Sequence, residues 1–253
     1  MEPSPEGVRA RLAGISLGVV CPMANEQAHA VAFVEAVLEE CVAWPFESVT
    51  FFAVLDEVSK DGTRRLLTDL ARERPELKVV WAPENRSVVD AYLRGYREAL
   101  AAGSKWILEI DAGFSHRPTD IPRFFTRMSE GYDCVFGSRF GAGGVIVDSS
   151  PRRKLISRGG SVLADALLGL HLTDATSGFE LFRADVLTEV LARGIRSRGP
   201  FFQTEMKAYC RNRLVAEVPI EYRGASHTVG STAIKDALRN LARLTVLRAR
   251  GRL

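Results

Sequence analysis

The amino-acid sequence predicts an α/β protein in which helices cover both faces of a mostly parallel sheet. Through the first half of the chain, apolar runs rich in β-branched residues alternate with stretches whose apolar residues recur every three or four positions. This is the pattern of parallel strands joined by crossover helices. The chain has 253 residues, 46% hydrophobic and 26% charged, which is a soluble, globular composition. We therefore expect one domain, residues 1–253, with three α/β/α layers.

The elements follow in a regular order. Each predicted strand is a short apolar run, and the strands are expected at 15–21, 49–55, 78–82, 106–110, 134–138 and 216–222. Helices with one apolar face are expected at 27–42, 63–73, 88–102 and 157–168, and a last helix begins at about 232. A glycine-rich stretch at 141–148 separates the two halves of the chain. Because ligands of open α/β sheets bind beyond the carboxyl ends of the strands, the polar loops at those ends are where the chemistry is expected.

Charge and cysteine content exclude several classes of protein. Thirty-four basic and 31 acidic residues leave a net charge of +3, too close to balance for a surface built to bind nucleic acid. The four cysteines form no Cys-x-x-Cys pair, which argues against a zinc site or a disulfide framework and favours a cytoplasmic location. No apolar run reaches the roughly 18 residues of a membrane span, so any membrane contact is expected to be peripheral.

Polar residues follow each of the first four predicted strands. They are Pro22, Asn25 and Glu26 after the first, Asp56 and Ser59 after the second, Asn85 after the third, and Asp111 and Ala112 after the fourth. A turn and a helix cap account for Asp61 and Thr63 in the second loop, but not for Asp56. Acidic side chains at strand ends accept hydrogen bonds from a ribose or a base. Among these acidic residues, Asp111 is the strongest single candidate for a functional residue.

Nine short motifs, in order between residues 19 and 222, carry a family resemblance. They read P-x-x-N-E, D-E-x-S-x-D-G-T, E-N-R, D-A-x-x-S-H-x-P, G-S-R-F, S-R, D-x-T-S-G-F-x-x-F-R, Q-T-E-M and E-V-P-I-E-Y. This series resembles the inverting glycosyltransferases typified by dolichol-phosphate mannose synthase and other polyprenyl-phosphate sugar synthases. The resemblance implies a GT-A fold and inverting transfer of a hexose from a GDP- or UDP-sugar to an acceptor, most simply polyprenyl phosphate.

The resemblance also implies a donor site. Residues after the first strands would surround the base and ribose, and Asp111 with Ala112 would lie beside the diphosphate and a divalent ion, Mg²⁺ or Mn²⁺. Three arginines, Arg139, Arg153 and Arg158, are candidates for neutralising the leaving diphosphate. For each of them a solvated or merely pairing side chain is an equally good interpretation.

Two acidic residues compete for the role of general base or acceptor-orienting group. We favour Asp174 over Glu205, for which the alternative role is pairing with a loop arginine. Since a phosphate acceptor is already ionised, a strong base is unnecessary. Ser177, Gln203 and His227 are the predicted acceptor-binding residues.

The sequence departs from the family pattern at two places. Gly113 stands where the second aspartate of an Asp-x-Asp metal motif is usual, so water, Ser115 or the diphosphate would complete the metal site at Asp111. Metal independence and loss of catalysis are the alternatives. His227 lies near the place of an expected arginine in the 223–232 loop, which weakens the assignment of a polyprenyl phosphate acceptor. The same donor chemistry on a natural product, a protein or a nucleic acid, and a non-catalytic nucleotide-sugar-binding protein, are therefore also considered.

The C-terminal helix, about 232–250, is basic and amphipathic. From Lys235 to the last residue the chain has six basic residues and one acidic residue, a net of +5. Ile234, Leu238, Leu241 and Leu244 share one face. Such a helix is suited to lie on the inner face of an anionic membrane, with nucleic acid a less favoured partner. Packing on the domain with a solvated basic face is the alternative.

Overall fold

The computed structural model describes residues 4–224 and 230–253, apart from the side chains of residues 152 and 153. The helices of the described part are α1 Pro5–Leu12, α2 Ala30–Val42, α3 Thr63–Leu70, α4 Val88–Ala101, α5 Ile121–Ser129, α6 Pro151–Leu168, α7 Ala184–Ala192, α8 Phe202–Tyr209 and α9 Ser231–Ala249. The strands are β1 Ser16–Pro22, β2 Ser48–Leu55, β3 Leu77–Trp81, β4 Trp106–Glu109, β5 Cys134–Ser138, β6 Val145–Val147, β7 Glu180–Arg183, β8 Val215–Pro219 and β9 Glu221–Arg223. A single 3₁₀ turn, Pro118–Asp120, precedes α5.

Seven strands form the main sheet, in the order β3-β2-β1-β4-β7-β5-β8. Every neighbouring pair is parallel except the two pairs that contain β7, which runs antiparallel to both β4 and β5. The prediction of a mostly parallel sheet is confirmed. Strands β1, β2, β4 and β5 therefore end at the same edge, which places the loops that follow them side by side.

Helices cover both faces of this sheet, as predicted. Because side chains alternate along a strand, Val19 of β1 lies in the core shared with α1, α2, α3 and α5, whereas Val20 lies in the core shared with α4 and α6 to α9. Helix α5 shows why such segments fold onto the sheet. Its buried apolar residues recur at i, i+3, i+4 and i+7, namely Ile121, Phe124, Phe125 and Met128.

Several elements differ from the sequence-based expectation. The predicted strand 216–222 is two strands, because the chain leaves the main sheet after Pro219 and β9 pairs with β6 instead. Helix α6 begins six residues early, at Pro151, a residue that suits the first turn of a helix. The last helix is present as predicted. Strands β6 and β7 and helices α1, α5, α7 and α8 were not expected. The single domain 1–253 stays a prediction until its unfolding is measured.

Candidate active site

The loops after β1 and β2 are bound to each other at the carboxyl edge of the sheet. Asn25 has a positive φ of 60°; its Nδ2 donates to the carbonyl of Val58 at 2.9 Å and its Oδ1 accepts the N–H of Lys60 at 2.8 Å. The backbone N–H of Glu26 donates to Thr63 Oγ1 at 2.8 Å. Asp56 is buried, and its Oδ1 accepts the N–H of Val58 at 2.9 Å. The predicted residues Pro22, Asn25, Glu26, Asp56 and Ser59 therefore meet at this edge, with Asn25 acting as the brace between the loops.

Asp111 follows β4, and hydrogen bonds to Tyr92 and His116 fix its position. The hydroxyl of Tyr92, on α4, donates to Asp111 Oδ1, and the backbone N–H of Asp111 donates to His116 Nδ1 at 3.4 Å. The Asp111 side chain is 41% exposed. Burial, together with the charge of Asp111, raises the pKa of Tyr92, so the phenol stays a hydrogen-bond donor. This carboxylate is thus anchored on one side and open on the other.

His116 is a site residue that sequence reasoning missed, although it lies within one of the nine motifs. Its ring is buried between Phe179, at 5.1 Å between centroids, and Tyr222, at 5.2 Å. Burial lowers the pKa of His116 to about 4, so the imidazole is neutral at physiological pH. Because Nδ1 accepts the amide of Asp111, the proton lies on Nε2. A neutral histidine positions Asp111 without adding charge to the site.

Glu26 and Gly113 lie against each other beside Asp111. Gly113 has φ +74°, and a Cβ atom on it would lie only 2.9 Å from Glu26 Oε2. Burial raises the pKa of Glu26, and Asp61 and Asp111 raise it further against the effect of His29. The carboxylate of Glu26 therefore lies where a side chain at position 113 would begin.

Arg139, after β5, forms a buried ion pair with Asp174. Its Nε donates to Asp174 Oδ2 at 2.6 Å, its Nη2 to Oδ1 at 2.8 Å and its backbone N–H to Oδ2 at 3.1 Å. Thr176 N–H and Ser161 Oγ also donate to Oδ1, at 3.1 and 3.3 Å. Burial would raise the pKa of Asp174, but the hydrogen bonds and charge of Arg139 outweigh it and bring the pKa to about 2. This arrangement favours an orienting role for Asp174 over acceptance of a proton.

Tyr222 connects the two halves of the site. The Arg139 guanidinium lies 5.2 Å from the Tyr222 ring centroid, and His116 packs against the same ring. Strand β9, which carries Tyr222, is tied to the loop after β4 because Arg223 N–H donates to the Ser115 carbonyl at 2.8 Å. An open carboxylate, Asp111, and a guanidinium that Asp174 fixes and that is only 9% exposed, Arg139, thus lie along one edge of the sheet.

Comparison with known proteins identifies the fold and the family. Residues 18–191 match the family described as Glycosyl transferase family 2. The chain belongs to this glycosyltransferase family. This confirms the enzyme class and the family that the nine motifs resemble.

Two curated relatives carry specific names. An undecaprenyl-phosphate mannosyltransferase of Micrococcus luteus is 35% identical over 171 residues, which is 67% of this chain and 70% of the relative. A polyprenol monophosphomannose synthase of Mycolicibacterium smegmatis is 29% identical over 242 residues, 93% of this chain and 88% of the relative.

Solved structures confirm the GT-A-like fold. A crystal structure of glucosyl-3-phosphoglycerate synthase from Mycobacterium tuberculosis, in complex with Mn²⁺, UDP and glucosyl-3-phosphoglycerate, has a TM-score of 0.64 at 17% identity. It covers 98% of this chain and 85% of the solved chain. The same enzyme with Mg²⁺ and UDP gives a TM-score of 0.63 at 18% identity, over 96% of this chain and 82% of the solved chain. At these identities the likeness establishes the fold alone.

Glu205 of this family 2 chain makes contacts typical of a structural residue. Its carboxylate accepts the N–H groups of Arg196 and Ser197 and the Ser197 hydroxyl, the last at 2.6 Å. It also accepts the Tyr209 hydroxyl at 3.1 Å and pairs with Arg243. The alternative interpretation, pairing with an arginine, is what the structure shows, although that arginine lies on α9 and not on a loop. These contacts disfavour the predicted catalytic role, because no oxygen of Glu205 is left to face a substrate.

A buried charged cluster behind the site was not anticipated from the sequence. Lys207 Nζ, fully enclosed, donates to Glu180 Oε1 and to the Ser177 carbonyl, the latter at 2.5 Å. Glu180 pairs in register with Glu109 across β7 and β4, and burial raises the pKa of both carboxyls, that of Glu180 to about 7. Gln203 Nε2 donates to Glu109 Oε1.

The predicted acceptor residues Ser177 and Gln203 therefore belong to this buried layer. Both are almost fully enclosed, and Ser177 Oγ and Gln203 Oε1 have no hydrogen-bond partner among residues 4–224 and 230–253. Their role in acceptor binding stays a prediction. Their burial gives them no open path to an acceptor in this structure.

The remaining predicted residues are dispersed. Asn85 is buried after β3, and Arg158 is exposed on α6. The side chain of Arg153 and the whole of His227 lie outside the described residues.

Within the described ranges no group of three or more His, Cys, Asp or Glu side chains is arranged to hold a metal ion. Over the same ranges, no helix combines the length and the apolar character required to span a membrane.

Proposed function

We propose that this glycosyltransferase moves a hexose, mannose by analogy with its curated relatives, from a GDP- or UDP-sugar to polyprenyl phosphate with inversion. The observation that carries the proposal is that an open Asp111 and an Arg139 fixed by Asp174 lie at the same sheet edge, in a chain 35% and 29% identical to two polyprenyl-phosphate mannosyltransferases. The reaction joins a phosphate acceptor to a sugar while a diphosphate leaves. A carboxylate that can hold a metal ion and a guanidinium that can bind an anion suit such a reaction.

The donor would lie along the loops after β1, β2 and β4. Asp56 and the neighbouring loop atoms face the base and ribose, and Asp111 faces the diphosphate. The residues present fit a divalent ion there, since Asp111 is open and the Glu26 carboxylate occupies the space left by Gly113. When bound, Mg²⁺ or Mn²⁺ neutralises charge on the diphosphate as the glycosidic bond breaks.

Arg139 is the residue best placed to meet the second anion. Asp174 fixes the guanidinium through two hydrogen bonds, and Tyr222 packs against it. A phosphate acceptor attacks as an anion, so the protein must align it and needs no strong base. Asp174, whose pKa is about 2 and whose oxygens are engaged, fits this requirement as a positioning residue.

Helices α6 and α9 offer a surface for a lipid acceptor. Leu155, Ile156 and Val162 of α6 are 73%, 63% and 62% exposed, and their spacing places them on one helical face. On α9, Ile234 and Leu238 are 51% and 58% exposed. Basic residues accompany them, namely Lys154, Arg158, Lys235 and Arg239, all exposed. We infer peripheral contact with an anionic membrane through this α6/α9 surface.

This surface refines the expectation from the sequence. Leu241 and Leu244, expected to share the membrane-facing side of the last helix, are buried in the core, so the exposed leucine and isoleucine of that face lie in the first half of α9. Helix α6 supplies the larger apolar face. It also contacts the site, since Ser161 donates to Asp174.

A transfer assay tests the proposed function. Purified enzyme would be incubated with labelled GDP-mannose or with labelled UDP-sugars and undecaprenyl phosphate in vesicles, with unphosphorylated polyprenol as the matched control acceptor. We expect label in the organic phase only with the phosphorylated lipid, a product of inverted configuration by NMR, and loss of transfer in Asp111→Asn and Arg139→Lys. Transfer only to a soluble acceptor, or nucleotide-sugar binding without transfer to any acceptor, would contradict the proposal.

A further inference from the structure

Gly113 stands where an aspartate of the family's metal motif is usual, so the loop after β4 lacks that carboxylate. In the structure the carboxylate of Glu26 lies beside the position that a side chain on residue 113 would occupy. The Oε2 atom of Glu26 lies 2.9 Å, and its Oε1 atom 3.3 Å, from the position of a Cβ at residue 113. We propose that Glu26 is the second carboxylate ligand of the divalent ion, beside Asp111. This rests on the proposed function, which supplies the diphosphate that the ion also binds.

The backbone of Glu26 is firmly held, which fixes where its side chain starts. Its N–H donates to Thr63 Oγ1 at 2.8 Å, and its carbonyl accepts the N–H groups of His29 at 2.9 Å and Ala30 at 2.7 Å, at the start of α2. The preceding Asn25 is bonded through both ends of its amide to the loop after β2. The carboxylate therefore starts from a braced turn and extends toward the loop after β4.

Both carboxylates keep oxygen atoms available. No residue in 4–224 or 230–253 donates a hydrogen bond to either Oε atom of Glu26. Asp111 uses Oδ1 for Tyr92, while its Oδ2 lies 3.8 Å from His116 Nδ1, an atom that already accepts the backbone N–H of Asp111. Each side chain thus has at least one carboxylate oxygen that accepts no hydrogen bond from the described residues.

The chemistry of this oxygen set suits Mg²⁺ or Mn²⁺. These ions take oxygen ligands, and Mg²⁺ is commonly bound by one or two carboxylates together with substrate phosphates and several waters. Glu26 and Asp111 supply the two carboxylates, so no third protein ligand is required. Gly113 suits this arrangement, since its φ of +74° strains other residues and a Cβ there would displace the carboxylate of Glu26.

Metal titration tests the role of Glu26 independently of the proposed function. Mn²⁺ binding would be measured by electron paramagnetic resonance in the presence of GDP or UDP, and nucleotide binding by calorimetry in chelator, for the wild type, Glu26→Gln and the exposed loop control Glu57→Gln. We expect Glu26→Gln to weaken Mn²⁺ binding roughly tenfold or more. Its nucleotide affinity in chelator should stay within about twofold of the wild type, and Glu57→Gln should change neither.

The outcomes distinguish the two ideas. Unchanged Mn²⁺ binding in Glu26→Gln would overturn the assignment of Glu26, and so would an equal loss of nucleotide affinity in chelator, which would make Glu26 a ribose or base contact. A wild type that binds neither nucleotide would overturn the proposed function itself and the metal site with it.

A relocation variant gives a second, independent measurement. Removing the Glu26 side chain frees the space beside residue 113, and aspartate tolerates positive φ better than most residues. We expect Glu26→Ala/Gly113→Asp to bind Mn²⁺ more tightly than Glu26→Ala alone. Gly113→Asp alone should gain little, because the new side chain is strained at φ +74° and would displace the carboxylate of Glu26 instead of adding to it. A folded double variant that binds Mn²⁺ no better than Glu26→Ala would contradict the equivalence of the two positions.

Discussion

At the scale of single residues, the Arg139–Asp174 pair is the most consequential contact of the site. Both side chains are almost fully buried, 9% and 0% exposed. Removing one partner of a buried pair leaves the other charge uncompensated. We expect Asp174→Asn to lower the free energy of unfolding by roughly 3–5 kcal/mol, measured by urea denaturation. The exposed pair Asp69–Arg72 is the control, and Asp69→Asn should cost at most about 1 kcal/mol. A small effect of Asp174→Asn would show that the pair is not held as the structure describes.

The same pair predicts a pH dependence. The pKa of Asp174 in the folded protein is about 2, below the value of about 3.9 for an unfolded chain. A lowered carboxyl pKa contributes stability that is complete above the unfolded value and is lost as the pH falls through the folded value. Stability should therefore decline between about pH 4 and pH 2, and Asp174→Asn should show a shallower decline than the wild type. Identical slopes for the two proteins would contradict the assigned pKa.

Tyr92 is expected to act on the donor site through Asp111. Its hydroxyl donates to the Asp111 carboxylate and its side chain is 2% exposed, so Tyr92→Phe removes the hydrogen bond and keeps the ring packing. Loss of such a supporting hydrogen bond lowers metal affinity or activity by about 10–100-fold. Mn²⁺ affinity and transfer rate should fall together while the melting temperature changes little. The control is Tyr132→Phe, at the opposite edge of the sheet; equal effects of the two variants would argue against a positioning role.

At the scale of elements, Glu205 joins α8 to α9 and to the loop before α8. Glutamine would present an amide N–H₂ to donors such as Ser197 and Arg243. We expect Glu205→Gln to lower the free energy of unfolding by about 2–4 kcal/mol, while the folded variant keeps kcat within about threefold. The exposed pair Glu189–Arg213 supplies the control Glu189→Gln. A stable variant without activity would instead restore Glu205 as a catalytic residue.

We predict that the exposed apolar face of α6 contributes to membrane binding. Leu155→Ser/Ile156→Ser alters two exposed residues, so stability should change little. If this face inserts among lipids, each buried leucine-sized side chain is worth about 1.5–3 kcal/mol. Flotation with anionic vesicles should therefore show affinity reduced by roughly tenfold or more. Leu214→Ser, at a 65% exposed position just before β8, is the matched control. Vesicle binding unaffected by either variant would place the membrane contact elsewhere.

At the scale of the whole molecule, both cores are built on the same strands. Val19 of strand β1 lies in one core and Val20 lies in the other, so loss of the sheet would expose both cores. All three tryptophans, Trp44, Trp81 and Trp106, belong to the core on the side of α1, α2, α3 and α5. Tryptophan fluorescence therefore reports one side, whereas far-UV circular dichroism reports helices on both. We expect the two urea transitions to coincide, as for one cooperative domain.

A substitution on the side without tryptophan strengthens this test. Leu244 is fully buried on α9, and Leu244→Ala should cost about 2–5 kcal/mol. If the chain is one domain, the fluorescence transition should shift by the same amount as the dichroism transition, although no tryptophan lies on that side. Leu238→Ala, at an exposed position of the same helix, serves as the control. A shift confined to dichroism would divide the chain into two units.

The sequence by itself determined the elements whose signal is local. The apolar runs of β1, β2, β4 and β5 are read from a few adjacent residues, and the polar residues after them are placed at the functional edge as soon as the sheet is known to be parallel. The nine motifs identified the family because they depend on residue identity and order. Helix α5 also carried a readable signal, since its apolar residues recur at the helical period. By contrast, β7 is only four residues long and begins with a buried glutamate, so nothing local marks it as a central strand.

Only the tertiary structure decided which distant residues meet. Asp174 meets Arg139 across 35 residues of sequence, and Glu205 meets Arg243 across 38. The contact of Glu26 with the space beside Gly113, and the exposed apolar face of α6, likewise depend on how helices and loops pack on the finished sheet. Sequence patterns encode periodicity and turn chemistry, which act over a few residues. The partner of a charged side chain, and the choice between burial and exposure of an apolar one, are set by packing across the whole chain.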